Sequence, residues 1–113
     1  MENKVINVER DFSRYPAGRF IADGPYSGEK FRKDFLVPAL SNNPQKVTVE
    51  LDGARGYGSS FLEEAFGGLV RREGFSAEFV LRTIEFKSDD VSLIEEIRDY
   101  ILESSHPNVS NKH

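Results

Sequence analysis

The chain has 113 residues, a formal net charge of −4 and no cysteine. That length holds one domain around one core, and the lack of cysteine excludes disulfides, thiolate metal sites, iron–sulfur clusters and thiol nucleophiles. A domain of this size buries roughly two thirds of the surface its unfolded chain exposes, so it folds without a metal or a cross-link.

Apolar runs are only a few residues long, far short of the roughly 20 that cross a bilayer, and Met1-Glu2-Asn3-Lys4 does not open a signal peptide. A cytoplasmic location is expected. The basic residues are scattered, with Arg71-Arg72 and the group Lys30, Arg32, Lys33 as local clusters, whereas a phosphate-tracking surface concentrates them on one face. This argues against a nucleic-acid partner.

In chain order, Val5-Ile6-Asn7-Val8 and Gly18-Arg19-Phe20-Ile21 read as a strand pair at a sheet edge, with Tyr15-Pro16-Ala17-Gly18 as the turn. Asp23-Gly24-Pro25 breaks the chain, and Ser27 caps a helix over 27–40 whose apolar face carries Phe31, Phe35 and Leu36. Pro38 should distort its last turn. Val47-Thr48-Val49-Glu50-Leu51 is a β-branched run suited to a central strand. It leads into Asp52-Gly53-Ala54-Arg55-Gly56-Tyr57-Gly58, a loop with three glycines, and then into a helix over 59–73. Phe61, Leu62, Ala65, Phe66, Leu69 and Val70 recur along that helix at the spacing of one buried face, and Gly74 stops it. Leu81 to Phe86 alternates as a strand, Ser88-Asp89-Asp90 opens a last helix over 89–104, and Leu93, Ile94, Ile97, Tyr100 and Ile101 form its stripe.

These elements predict an α/β fold: a mixed, mainly parallel sheet with an antiparallel N-terminal edge, packed with helices. Residues 1–104 form the single domain, and 105–113, polar and aperiodic, form a flexible tail.

In open α/β sheets ligands and partners meet the loops that lead from strands into helices, which points to Asp52 through Ser60. The glycines free the backbone, and the helix behind them presents unpaired amides and a positive dipole end. No lysine follows the last glycine, so this is not a phosphate-cradling Walker loop, and the dinucleotide spacing is also missing. Ser60 with Glu63 fits a capping box, which leaves Ser59 the freer hydroxyl and either serine a candidate phosphorylation site. Asp52 could join Asp23 and Glu63 around magnesium, but it reads better as a loop cap, because a receiver site also needs paired acids on its first strand and a later lysine. His106 and His113 lie in the tail, so no base is at hand for a serine nucleophile. No catalytic residue, cofactor or metal is expected, and the chain does not read as an enzyme.

The run from Gly53 to Arg71, with Gly18-Arg19-Phe20, Asp23-Gly24-Pro25 and Ser27-Gly28-Glu29-Lys30-Phe31-Arg32 ahead of it, resembles the STAS-like domain family of unknown function over residues 18 to 86. That family is distantly similar to the STAS domains of anti-sigma-factor antagonists. The resemblance implies a regulatory protein-binding module that engages a histidine-kinase-like ATPase through its 52–72 loop and helix. The contact residues would be Asp52, Arg55, Tyr57, Glu63, Glu64 and Arg71, and Ser59 and Ser60 fall where the antagonists are phosphorylated. Where those antagonists carry an aspartate before the serine pair, this chain has Gly58. The rival reading is a small-ligand or nucleotide-binding domain that uses the glycine loop and helix N-terminus as its anion seat.

Overall fold

Three short strands, β1 (Asn3–Asn7), β2 (Lys46–Glu50) and β3 (Ile84–Lys87), form one sheet in the order β1-β2-β3 in the computed structural model, which describes residues 3–105. Both pairs are parallel, with Thr48 opposite Val5 on one side and Glu85 on the other. Burial alternates along β2 and β3 as the pleat requires. Ile6, Val47, Val49 and Ile84 are buried toward the helices, while Val5, Glu85 and Lys87 are exposed on the other face.

Each strand is followed by a helix. Helix α1 spans 28–41 as Gly28–Phe31, a π-helical segment Arg32–Leu36, and Val37–Ser41. Helix α2 spans 59–71 in the same way, as Ser59–Leu62, Glu63–Gly67 and Gly68–Arg71. Two further helices are α3 (Ala77–Thr83) and α4 (Val91–Ser104). Local chemistry sets their starts: Ser27 Oγ accepts from the Lys30 amide at 3.2 Å, Ser76 Oγ from Phe79 at 3.0 Å, and Asp90 Oδ1 from Leu93 at 3.2 Å. Gly74, at φ +84°, ends the turn after α2.

Two expectations from the sequence are corrected. No antiparallel edge is present among the described residues: β1 pairs with β2 in parallel, and Gly18 to Ile21 is not a strand. The cause is Asp23, whose Oδ2 accepts from the Arg19 and Phe20 amides at 3.2 and 2.8 Å and folds the segment into a 3₁₀ turn over Ile21–Asp23. The strand expected from Leu81 begins only at Ile84, because Val80 and Thr83 are buried at helical spacing and the capped α3 takes the residues before it. Around Pro38 the helix is irregular, with the π-helical stretch just before the proline, and it runs on to Ser41. Residues 106–113 of the expected tail, with both histidines, lie outside the described residues.

With all strands parallel, α1, α2 and α4 lie side by side on the buried face of the sheet. Their N-termini gather at the C-terminal ends of the strands. Phe31, Phe61 and Phe66 fill the centre, with Phe12 tilted on Phe31 at 5.1 Å and Phe66 edge-on to Phe86 at 5.4 Å.

Candidate functional site

The loop from Asp52 to Gly58 lies at the strand ends, held from three sides. The Asp52 carboxylate accepts from Ser88 Oγ at 2.8 Å and from the Asp89 amide at 3.0 Å, so its role is that of a latch between the two strand-to-helix loops. The Arg55 amide donates to the Arg14 carbonyl at 2.8 Å, and the Tyr57 hydroxyl donates to the Leu51 carbonyl at 2.8 Å. Burial, followed by the nearby carboxylates of Asp52 and Glu9, pushes the Tyr57 phenol up, so it stays a neutral donor in the physiological range. Gly53 adopts φ +100°, a left-handed conformation that favours glycine there, with the Glu9 side chain packed against it.

An open cavity of about 380 Å³ lies beside this loop, lined by Leu51, Asp52, Tyr57, Asp90, Ser92 and Glu96 among others. Its charged lining groups are acids. The Glu96 carboxylate also accepts the Tyr100 hydroxyl at 2.6 Å, and this bond, helped by burial, pushes the Tyr100 phenol up to about 12. Among the described residues no cluster of three or more histidines and acids is placed to hold a metal ion.

Ser59 and Ser60 are both exposed in the first turn of α2. The expected capping box is absent: Gly58 is the N-cap, no side chain caps the turn, and the first amide to bond is that of Leu62, at 3.1 Å from the Gly58 carbonyl. Glu63 is drawn away from the N-terminus by the guanidiniums of Arg19 and Arg71. Ser60→Ala should therefore leave thermal stability within about 0.5 kcal/mol of the parent, whereas Ser27→Ala, which removes a real cap, should cost about 1 kcal/mol. A larger loss in the first variant by chemical denaturation would restore Ser60 as a cap.

Of the residues expected at a contact surface, the structure brings Asp52, Arg55, Tyr57, Ser59 and Ser60 together. Glu63 lies one turn further along α2, and Arg71 lies at the far end of the helix, bonded to Glu63 and to Ser104 Oγ at 3.0 Å. Glu64 is fully buried and offers no surface to a partner. It accepts from Arg32 Nη1 at 2.9 Å, and the Arg32 guanidinium, also buried, donates to the Glu64 carbonyl at 2.6 Å and to Glu73 at 2.9 Å. This is an ion network between α1 and α2 with every buried polar side-chain atom bonded.

Sequence reading missed the second wall of the site, Ser88 to Asp90 with Glu96. The acids after Ser88 were legible as a helix start. Their approach to Asp52 depends on the β2–β3 pairing, in which Glu50 lies opposite Lys87.

No curated protein and no solved structure matches the chain. Residues 27–93 match one family, and they cover α1, β2, the glycine loop, α2, α3, β3 and the start of α4. More than half of the chain, including the loop and helix from Asp52 to Arg71, thus falls within that match, and the protein belongs to the STAS-like domain family of unknown function.

Proposed function

We propose that this domain is a regulatory protein-binding module that engages a signalling partner, of the histidine-kinase-like ATPase kind, through the loop and helix from Asp52 onward, with serine modification as its switch. The observation that carries the reading is the exposure of both serines, uninvolved in capping, beside a latched and rigid glycine loop. Around the same end, Tyr15, Tyr26 and Val91 are among the most exposed large apolar side chains, a composition suited to a protein contact. The carboxylates of Asp52, Asp90 and Glu96 weigh against a nucleotide, whose phosphates they would repel.

A phosphate on Ser59 or Ser60 adds about −1.5 to −2 charges. The helix N-terminus tolerates such an anion, by roughly 0.3–1 kcal/mol in its favour. A partner surface fitted to a neutral hydroxyl loses contact, and each 1.4 kcal/mol lost is about tenfold in affinity. The test is capture and identification of the partner with the intact chain, followed by titration of variants. Ser59→Asp, Ser60→Asp and Tyr57→Ala should each weaken the complex by about tenfold or more, and for the aspartates the melting temperature should barely move. Unchanged affinity in all three would remove this surface from the function.

A further inference from the structure

We propose that Ser88 is a positioning residue of the contact surface: from the neighbouring strand-to-helix loop it fixes the shape that the glycine loop presents, and partner affinity depends on it. The inference rests on the reading of the glycine loop as the partner contact. Ser88 lies 36 positions from Asp52 along the chain, and the β2–β3 pairing brings the two together.

Glycine has no Cβ to restrict its backbone, and Gly53 and Gly56 adopt φ of +100° and +73°. A loop with glycines at 53, 56 and 58 has many accessible backbone states, so its ties must select one of them against that entropy. The Tyr57 hydroxyl, bonded to the Leu51 carbonyl, closes the loop on itself. From outside, the Arg14 carbonyl takes the Arg55 amide, and the corner formed by Ser88 and Asp89 holds the Asp52 carboxylate.

At that corner Ser88 is bonded in both directions. Its Oγ donates its one proton to Asp52 Oδ1 at 2.8 Å and accepts the Asp90 amide at 2.9 Å. Asp90 in turn caps α4 by accepting the Leu93 amide, so a continuous chain of bonds runs from the glycine loop to the start of α4. A hydroxyl that donates to a carboxylate while it accepts from an amide is polarised by both, and each bond gains. Ser88→Ala removes both bonds at once. It leaves Asp52 with the Asp89 amide, in an exposed position where water competes for the same carboxylate. Ser92, which lines the same cavity from α4, is the control.

Hydrogen–deuterium exchange of the intact chain tests the positioning role without a partner. In Ser88→Ala the amides of residues 53–57 should exchange about tenfold faster, while those of Phe61 to Leu69 in α2 keep the parent rate. Ser88→Thr, which restores the hydroxyl, should return the loop to the parent rate, and Ser92→Ala should leave it unmoved. With the partner captured by the intact chain, Ser88→Ala should weaken the complex by about tenfold and Ser88→Thr should not. Parent-like loop exchange in Ser88→Ala overturns the proposal. So does a loosened loop that Ser88→Thr fails to restore, or one that still binds with parent affinity. These results leave the contact surface itself in place, because its own failure shows as unchanged affinity in Ser59→Asp, Ser60→Asp and Tyr57→Ala.

Discussion

Glu64→Ala should lower the unfolding free energy by about 3–5 kcal/mol, because it removes the buried one of the two carboxylates paired with the buried Arg32 guanidinium and leaves only the partly exposed Glu73. The Glu64 and Arg32 side chains are almost wholly inaccessible, at 0% and 1% exposure, so water cannot step in. For a domain of this size the loss corresponds to a fall of more than about 10 °C in melting temperature. Replacing both partners, as Arg32→Met with Glu64→Leu, should be less damaging than Glu64→Ala alone, since no half-compensated charge then remains in the core. A loss below about 1 kcal/mol in Glu64→Ala by urea denaturation would show that the bonds Arg32 keeps, to Glu73 and to the backbone carbonyl of residue 64, are enough to hold it.

The same network sets the response to acid. Burial by itself would push the Glu63 and Glu64 carboxyls up, but hydrogen bonds from Arg19 and Arg71 to the first, and from Arg72 and Arg32 to the second, outweigh it and hold both below the ordinary glutamate range. A carboxyl with a folded pKa below its unfolded one contributes stability that is complete above the unfolded value, about 4.3. That contribution is lost as pH falls through the folded value. The parent domain should therefore lose stability steeply below about pH 4. Glu64→Ala should show a shallower acid limb, and an unchanged limb would assign the acid sensitivity to other carboxyls.

Gly28→Ala should cost about 1–3 kcal/mol, although alanine is the better helix former. A Cβ at Gly28 would overlap the Phe61 carbonyl oxygen and press on the Ala65 nitrogen and Glu64 Cβ at 3.1 and 3.2 Å. Because the obstacle is backbone, α1 can accept the methyl only by moving off α2, which stretches the Arg32–Glu64 bonds one turn further on. Gly58→Ala is the control: its surroundings are open, and the change should cost at most about 1 kcal/mol as a weakened N-cap. Equal stability of the two variants in thermal unfolding would mean that the close approach of the helices is not needed.

The sequence by itself determined what depends on neighbours along the chain. The β-branched run Val47 to Glu50, the apolar stripes of α2 and α4, the Ser27 cap and the Gly74 stop are all read from residues within one or two turns of each other, where periodicity reports which face is buried. The loop from Asp52 to Ser60 was legible for the same reason, since glycines after a strand and before an amphipathic stripe mark a strand-to-helix turn. What only the tertiary structure decided involves partners far apart in sequence. β1 could have paired with 18–21 or with β2, and alternation fits both; Asp23 removed the first by bending that segment, and β2 offered a full five-residue register. α3 overrode a strand-like pattern because a Ser76 cap and burial of Val80 and Thr83 favour the helix. Arg32 and Glu64, 32 positions apart, each look like a solvated charge on a helix surface. They become a buried pair because glycines at 28 and 68 let α1 and α2 come close enough to exclude water, and excluding water is what turns a weak surface attraction into a structural one.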